Sequence, residues 1–164
     1  MANQQDSSRR DFVKTAGTVT AATAATIVGA PAVHKARAAG DKVAYGMVGV
    51  GARGSYLLRH LADPAAGIDN GRCVALCDVY APNLASGVKT IGGNPRAYKT
   101  HEELLADKEV EAVIVTTPLY AHFPVTRDAL LAGKHVFCEK SLVFKPEEIH
   151  ALRALSNERS KQVM

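Results

Sequence analysis

A glycine-rich segment near residue 50 has the residue types and the spacing needed to bind phosphate. Gly49, Gly51 and Gly54 fit the pattern G-x-G-x-x-G, and Ala52 and Arg53 occupy its last two variable positions. Between a strand and a helix, the first glycine permits a tight turn, the second lets a diphosphate approach the backbone, and the third lets the helix pack close to the sheet. The N–H groups at the start of that helix would then face the phosphates. Taken alone, the pattern also fits an ordinary glycine-rich turn.

An acid follows at the distance that a dinucleotide-binding unit requires. Asp78 ends a continuous apolar run, 73–77, and lies 24 residues after Gly54. A carboxylate at this place can accept hydrogen bonds from both hydroxyls of the adenosine ribose, and it would repel a 2′-phosphate. The sequence therefore predicts NAD as the cofactor and makes NADP the less favoured alternative. A helix cap or a solvated loop acid is the other interpretation of Asp78.

The elements that must position these residues alternate between apolar strands and amphipathic helices. Strands are predicted at 43–50, 73–78, 112–116 and 135–138. Helices are predicted at 55–62, 82–89, 124–132 and 146–159, and a further one opens with the capping box of Thr100 and Glu103. Continuously apolar strands that alternate with helices predict an α/β fold, a Rossmann-type doubly wound parallel sheet with both faces covered.

Two later stretches carry a resemblance to a known family. They read VIVTTPLYAH at 113–122 and AGKHVFCEKSL at 132–142. Together with the glycine segment they resemble the glucose–fructose oxidoreductase and inositol dehydrogenase (Gfo/Idh/MocA) family, which shows Thr-Pro-Asn-x-x-His, then Ala-Gly-Lys-His-Val, then Glu-Lys-Pro. The resemblance covers residues 42–164. Leu119 stands where the family has asparagine and Ser141 where it has proline.

The resemblance implies roles for five residues. Thr117, Pro118 and His122 would line the nicotinamide end of the cofactor cleft, and Glu139 would contact the nicotinamide ribose. Lys140 would be the catalytic residue, lying beside the substrate and stabilising charge as hydride moves to the nicotinamide ring. The alternatives from the residues alone are that His122 packs on the sheet at a helix start, and that Glu139 and Lys140 form a solvated surface pair.

In this family a second, α+β domain follows and supplies substrate specificity and acid–base residues. We expect that domain to be absent here and the sheet to be truncated near its sixth strand, for which 161–164 looks like the start. Residues 39–164 would then be the cofactor-binding half of an NAD(P)-dependent oxidoreductase of sugars or polyols. An NAD-dependent glycosidase of the same superfamily and a non-catalytic nucleotide-binding fragment are the alternatives, so whether this chain is an enzyme stays open.

Residues 1–38 are predicted to be a twin-arginine export signal. Arg9 and Arg10 follow a serine, an uncharged stretch occupies 15–33, and Ala36-Arg37-Ala38 is a candidate cleavage site. The expected partner is the twin-arginine translocase, and the expected location is periplasmic or extracytoplasmic. A disordered tail and a membrane anchor are the alternatives, although alanine, threonine and glycine give an anchor little transfer free energy.

Charge and metal-ligand patterns narrow the function further. Of the net charge of +4, the first 38 residues carry +3, which leaves +1 for the rest. A domain so close to neutral gives no electrostatic reason to bind nucleic acid. The three cysteines and six histidines show no metal-ligand spacing, so no metal site is predicted. Association between copies of the chain is expected as a homo-oligomer.

Overall fold

The computed structural model describes residues 41–164, and the predicted export signal lies outside them. The described part is an α/β fold built on a five-stranded, wholly parallel sheet in the order β3-β2-β1-β4-β5. The strands are β1 Val43–Val48, β2 Gly71–Cys77, β3 Arg96–Tyr98, β4 Ala112–Val115 and β5 His135–Cys138. This order, with the chain reversing direction across the sheet after β3, is that of a Rossmann-type sheet and confirms the predicted fold class.

A further strand begins beside β5. Val163 forms a parallel bridge with Val136, and the backbone N–H of Cys138 donates to the carbonyl of Met164 over 2.8 Å. Residues 161–164 therefore extend the sheet next to β5, in agreement with the prediction for this segment.

Helices cover both faces of the sheet. They are α1 Ala52–Ala62, α2 Ala81–Ile91, α3 His101–Ala106, α4 Leu119–Leu131 and α5 Glu148–Arg159, with a short 3₁₀ turn at Pro64–Ala66. The α1 and α2 helices pack on one face around the buried side chains of Met47, Leu58 and Leu76. The other three helices pack on the opposite face through residues such as Leu104 and Leu130. The result is a doubly wound sheet with an apolar layer on each side.

Local signals mark several helix ends. Thr100 and Glu103 form the predicted capping box, in which each side chain accepts a hydrogen bond from the other residue's backbone N–H. Gly133 has φ +74° and follows the last residues of α4, as expected of a left-handed residue beyond a helix C-terminus. No helix within residues 41–164 is long and apolar enough to cross a membrane.

The bounds of several elements differ from the sequence predictions, and the differences at β3, α4 and α5 concern a missed strand and two helix starts. The three-residue strand β3 was not predicted, because RAY has too few residues for an apolar period and all three are at least partly exposed. The α4 helix begins at Leu119, so Pro124 lies inside it and does not open it. The α5 helix begins at Glu148, just after Pro146. Both starts were predicted from the proline, because proline is favoured in the first helical turn. The structure places Pro124 inside α4 and Pro146 before α5.

Candidate dinucleotide-binding site

The glycine segment lies where the strand order reverses. β1 is flanked by β2 and β4, and the connections that leave β1 and β4 run to opposite faces of the sheet. In open α/β sheets this switch point opens a crevice at the carboxyl ends of the strands, and ligands bind there. The segment 49–54 joins the end of β1 to the start of α1, so its backbone forms one wall of that crevice.

Each glycine of the pattern has its own structural reason. Gly49 adopts φ +92°, and a Cβ there would lie 2.8 Å from the backbone carbon of Thr116. A Cβ at Gly54 would overlap the carbonyl oxygen of Gly49, so only glycine lets α1 pack this close. At Gly51 the nearest atom to a Cβ is Nδ2 of Asn83 at 3.9 Å. The space in front of Gly51 is therefore open, as a phosphate close to the backbone requires.

Asp78 is tied to the glycine segment directly. Its Oδ2 accepts a hydrogen bond of 2.6 Å from the backbone N–H of Val50, and its Oδ1 accepts one of 2.8 Å from that of Tyr80. The amide of Asn83 donates to Oδ2 from 3.4 Å. These donors fix the carboxylate beside the crevice. Each oxygen has two lone pairs, so Oδ1 keeps capacity to accept from a hydroxyl.

A first cleft of about 690 Å³ extends from the glycine segment past Asp78. Among the predicted site residues it is lined by Gly49, Gly51, Ala52, Asp78, Thr117 and Pro118. Its outer wall is largely apolar and includes Val79, Tyr80 and Tyr120, which are exposed. An apolar wall with a carboxylate, that of Asp78, beside the glycine segment suits a flat heterocycle joined to a ribose.

A second cleft of about 720 Å³ adjoins the first and shares Thr116 and Thr117 with it. The remaining predicted site residues line this cleft: Arg53, His122, Glu139 and Lys140. Gly54, in the first turn of α1, is buried and lines neither cleft. The hydroxyl of Thr117, on the shared wall, is buried without a hydrogen-bond partner. Buried hydroxyls are nearly always paired, so this one indicates a place for a ligand atom between the two clefts.

Sequence reasoning missed an ion pair that spans the second cleft. Arg53 donates from Nε to Oε1 of Glu139 over 2.8 Å, and its Nη2 lies 2.6 Å from the same oxygen. The hydrogen bond from Arg53 is the main cause that lowers the pKa of Glu139 below its usual range. The partners are 86 residues apart, so no local pattern joins them, although each belongs to a recognised motif.

His122 is buried, with 2% of its surface exposed, in the first turn of α4. Its Nε2 lies 2.8 Å from the carbonyl oxygen of Thr117 and its Nδ1 lies 2.7 Å from that of Ser141. The ring therefore links the end of β4 to the segment after β5. It both lines the second cleft and packs at a helix start, and a place beside the nicotinamide stays a prediction.

The two lysines of the 132–142 stretch have different surroundings. Lys140 is exposed at the second cleft, and within residues 41–164 its ammonium group has no ion-pair partner. Lys134 is 9% exposed at the opposite end of β5, and its Nζ donates to the carbonyls of Asp107 and Val110 over 2.9 and 2.7 Å. Burial lowers the pKa of Lys134. Lys134 is thus a structural residue, whereas Lys140 lines the second cleft.

Within residues 41–164 the cysteines and histidines do not gather into a metal-ligating cluster. No group of three or more His, Cys, Asp or Glu side chains there could hold a metal ion. Cys73, Cys77 and Cys138 are all free thiols; two are buried and Cys73 is partly exposed. Burial raises the pKa of Cys73 to about 11 and that of Cys77 to about 12, which keeps both thiols protonated.

The residues present fit a dinucleotide. Two clefts lie side by side, an open space lies in front of Gly51, and an unpaired hydroxyl lies on the shared wall. The model of the Gfo/Idh/MocA oxidoreductases, described as an oxidoreductase family with an NAD-binding Rossmann fold, matches residues 43–164. The chain belongs to this family.

Individual relatives agree with the family assignment. Inositol 2-dehydrogenase of Salmonella typhimurium (strain LT2) is 39% identical over 97 residues, which cover 59% of this chain and 28% of that protein. Glycosyl hydrolase family 109 protein 2 of Shewanella sp. (strain ANA-3) is 33% identical over 117 residues, covering 66% of this chain and 25% of that protein. An NAD-binding protein from Listeria innocua has a TM-score of 0.67 and 31% identity, covering 76% and 35%. The chain thus matches about a quarter to a third of each relative's length.

Proposed function

We propose that this chain holds NAD for the oxidation or reduction of a sugar or polyol, with residues 41–164 as the cofactor-binding half of the enzyme. The observation that carries the proposal is the pair of adjoining clefts at the switch point of the sheet. Each cleft contains a carboxylate at the end of a strand, Asp78 in one and Glu139 in the other, and the glycine segment contacts both. A dinucleotide has the matching chemistry, with two ribosyl groups joined by a diphosphate.

In this proposal each residue has a separate task. Asp78 accepts from the hydroxyls of the adenosine ribose, and the N–H groups at the start of α1 receive the diphosphate. Thr117 donates its unpaired hydroxyl to the cofactor, and Glu139 accepts from the nicotinamide ribose. The bound nicotinamide would supply hydride acceptance or donation. Lys140, at the same cleft, stabilises the developing charge on the substrate oxygen.

The substrate class rests on the relatives and on the character of the second cleft. Inositol 2-dehydrogenase carries its substrate in its name, and a polyol needs polar partners around its hydroxyls. The second cleft has Lys140 and Glu139 beside apolar Leu119 and Phe137. We propose a polyol or sugar for this chain on that basis.

We also propose that the chain is exported by the twin-arginine route and that it self-associates.

The test of the proposal is the affinity of the chain for NAD and NADP, measured by calorimetry. We expect NAD to bind more tightly, because the carboxylate of Asp78 would lie beside a 2′-phosphate and repel it. Replacing Asp78 with alanine should weaken NAD binding about tenfold or more, as loss of a hydrogen bond to a charged group predicts. It should weaken NADP binding less, so the NAD-to-NADP preference narrows.

The ratio of the two affinities matters more than either value, because Asp78 also holds the glycine segment and its loss affects both ligands. Asp69→Ala is the matched control, since it removes an exposed acid from the loop before β2. Tighter binding of NADP by the wild-type chain would contradict the NAD assignment. An absence of binding for both dinucleotides would contradict the proposed function itself.

A glycosidase that uses NAD is the second candidate, and the similarity to a glycosyl hydrolase family 109 protein favours it. A dinucleotide that is recycled within each turnover is best held tightly, whereas a dehydrogenase must release reduced cofactor. The discriminating measurement is the nucleotide content of the chain purified without added cofactor. Stoichiometric NAD that survives extensive dialysis favours the glycosidase, and rapid exchange with added NAD favours the dehydrogenase.

A further inference from the structure

The two partners of the ion pair between Arg53 and Glu139 differ in how far their side chains are exposed to solvent. Glu139 has a side chain only 12% exposed, whereas that of Arg53 is 54% exposed. Both guanidinium contacts go to one carboxylate oxygen, Oε1. Oε2, the other oxygen, accepts from the backbone N–H of Lys140 over 3.3 Å. The carboxylate is thus held from two sides in a single orientation at the second cleft.

Arg53 is itself held in place. It lies in the first turn of α1, and its guanidinium carbon is 5.3 Å from the centre of the Tyr56 ring, one turn further along the helix. A guanidinium over an aromatic face is attracted by the ring and loses some of its freedom to rotate. The charge that reaches Glu139 therefore comes from a side chain that already has a preferred position.

The glycine segment contacts the carboxylates at both ends of the crevice. Asp78 is held by the backbone N–H of Val50, at the second position of the glycine pattern. Glu139 is held by the side chain of Arg53, at the fifth position of the same pattern. A single six-residue segment thus determines where two acids, one on each side of β1 and β4, present their oxygens.

We propose that Arg53 is a positioning residue, which presets the Glu139 carboxylate to receive the hydroxyls of the nicotinamide ribose. This inference rests on the proposed function, because it names the dinucleotide as the ligand. Binding then needs no reorientation of Glu139, since the arginine has fixed the acceptor before the ligand arrives. Preorganisation of this kind raises affinity by removing an ordering cost from the binding step.

The same contact has a consequence for pH. The hydrogen bond from Arg53 lowers the pKa of Glu139, burial opposes that effect, and charge on His122 adds to the lowering. Lys140 also lines the cleft next to Glu139. Without the arginine, the pKa of Glu139 would rise, and the carboxylate would be lost as an acceptor at a higher pH than in the wild-type chain.

The first test needs no ligand. The carboxyl carbon of Glu139 is followed by NMR during an acid titration of the wild-type chain, Arg53→Ala and Arg53→Lys. We expect Arg53→Ala to move the titration midpoint of Glu139 upward and Arg53→Lys to restore part of the difference. Arg59→Ala is the matched control, because Arg59 is an exposed arginine in the last turn of the same helix. Identical titration in Arg53→Ala and the wild-type chain would overturn the inference.

The second test measures NAD affinity as a double-mutant cycle with Glu139→Gln. Arg53→Ala should weaken NAD binding by up to about tenfold at neutral pH, because Glu139 must then be ordered in the binding step, and by more as the pH falls. In the Glu139→Gln background the same change should have little further effect. Equal losses in both backgrounds would mean that Arg53 binds the diphosphate independently, which overturns the positioning role. If the wild-type chain binds no NAD, the proposed function fails first, and this inference fails with it.

Discussion

At the scale of the residue, surroundings rather than type decide what a side chain does. Lys134 and Lys140 lie six positions apart in the stretch 132–142, yet one is buried against two carbonyls and the other is exposed at a cleft. They precede and follow the four-residue strand β5. The two ends of a strand lie at opposite ends of the sheet, so the lysine before β5 and the lysine after it lie in different environments.

His122 shows how a cleft residue can act mainly through its neighbours. Its two ring nitrogens face the carbonyl oxygens of Thr117 and Ser141. We expect His122→Ala to lower the free energy of unfolding by about 1–3 kcal/mol, the usual cost of leaving buried polar groups unpaired. It should also weaken NAD binding, because Thr117 and the segment that carries Lys140 lose their common link.

Urea unfolding at one fixed pH measures the stability change. His150→Ala is the control, since His150 is an exposed histidine in α5. If both variants unfold at the same urea concentration, the hydrogen bonds of His122 do not contribute to stability and the linking role is wrong.

At the scale of the element, the junction between β1 and α1 is the part of the fold that the site most depends on. The junction must bring a helix N-terminus against the end of a strand without side chains between them. At Gly54 the carbonyl of Gly49 leaves no room for a Cβ, so glycine lets the helix pack against the end of the strand. At Gly51 the absence of a side chain leaves the space toward the cleft open.

These two glycines should therefore respond differently to alanine. Gly54→Ala is expected to destabilise the fold by about 1–3 kcal/mol or more, because the added methyl group must displace α1. Gly51→Ala should leave stability nearly unchanged, since Gly51 has an ordinary φ of −67° and a Cβ there meets nothing nearer than 3.9 Å. It should instead abolish most NAD binding, because its methyl group occupies the space of the diphosphate.

Thermal unfolding and calorimetry on both variants separate the two effects. The opposite result, in which Gly51→Ala unfolds readily while Gly54→Ala binds NAD normally, would contradict the roles given to the second and third glycines. Each variant serves as the control for the other, because both add a single methyl group to the same six-residue segment.

At the scale of the whole molecule, the described domain and the N-terminal segment give one consistent hypothesis. A domain that binds NAD must acquire the dinucleotide in the cytoplasm, where that cofactor is made, and the twin-arginine route carries proteins that are already folded. A twin-arginine signal at residues 1–38 would therefore suit a chain with this site. The net charge of +1 outside that segment agrees with a small-molecule ligand rather than a nucleic acid.

The export hypothesis is tested with a reporter fused after Ala39. We expect replacement of Arg9 and Arg10 by lysine to abolish export, because the translocase reads the arginine pair rather than its charge. Lys35→Arg is the control, since it makes a charge-conserving change within the same segment. Undiminished export of the double variant would reject the signal and, with it, the periplasmic location.

The sequence by itself determined what depends on a few neighbouring residues. The glycine pattern, the capping box at Thr100, the alternation of apolar strands and helices and the acid at Asp78 all follow from backbone conformation or short-range periodicity. Those signals suffice for the fold class, the glycine segment and Asp78. The roles of Thr117, Pro118, His122, Glu139 and Lys140 came from the resemblance to a family. The local signals are strong because φ preferences and apolar periods act within one turn or one strand.

Only the tertiary structure decided the features that join distant segments. The contact between Arg53 and Glu139 spans 86 residues. It exists because the crossover connections place the carboxyl ends of β1 and β5 on the same side of the sheet. The same packing extends α4 back to Leu119 despite Pro124, pairs the short β3 with β2 and gives His122 its two carbonyl partners. Such features depend on which chain ends meet in space, and no local preference of the residues carries that information.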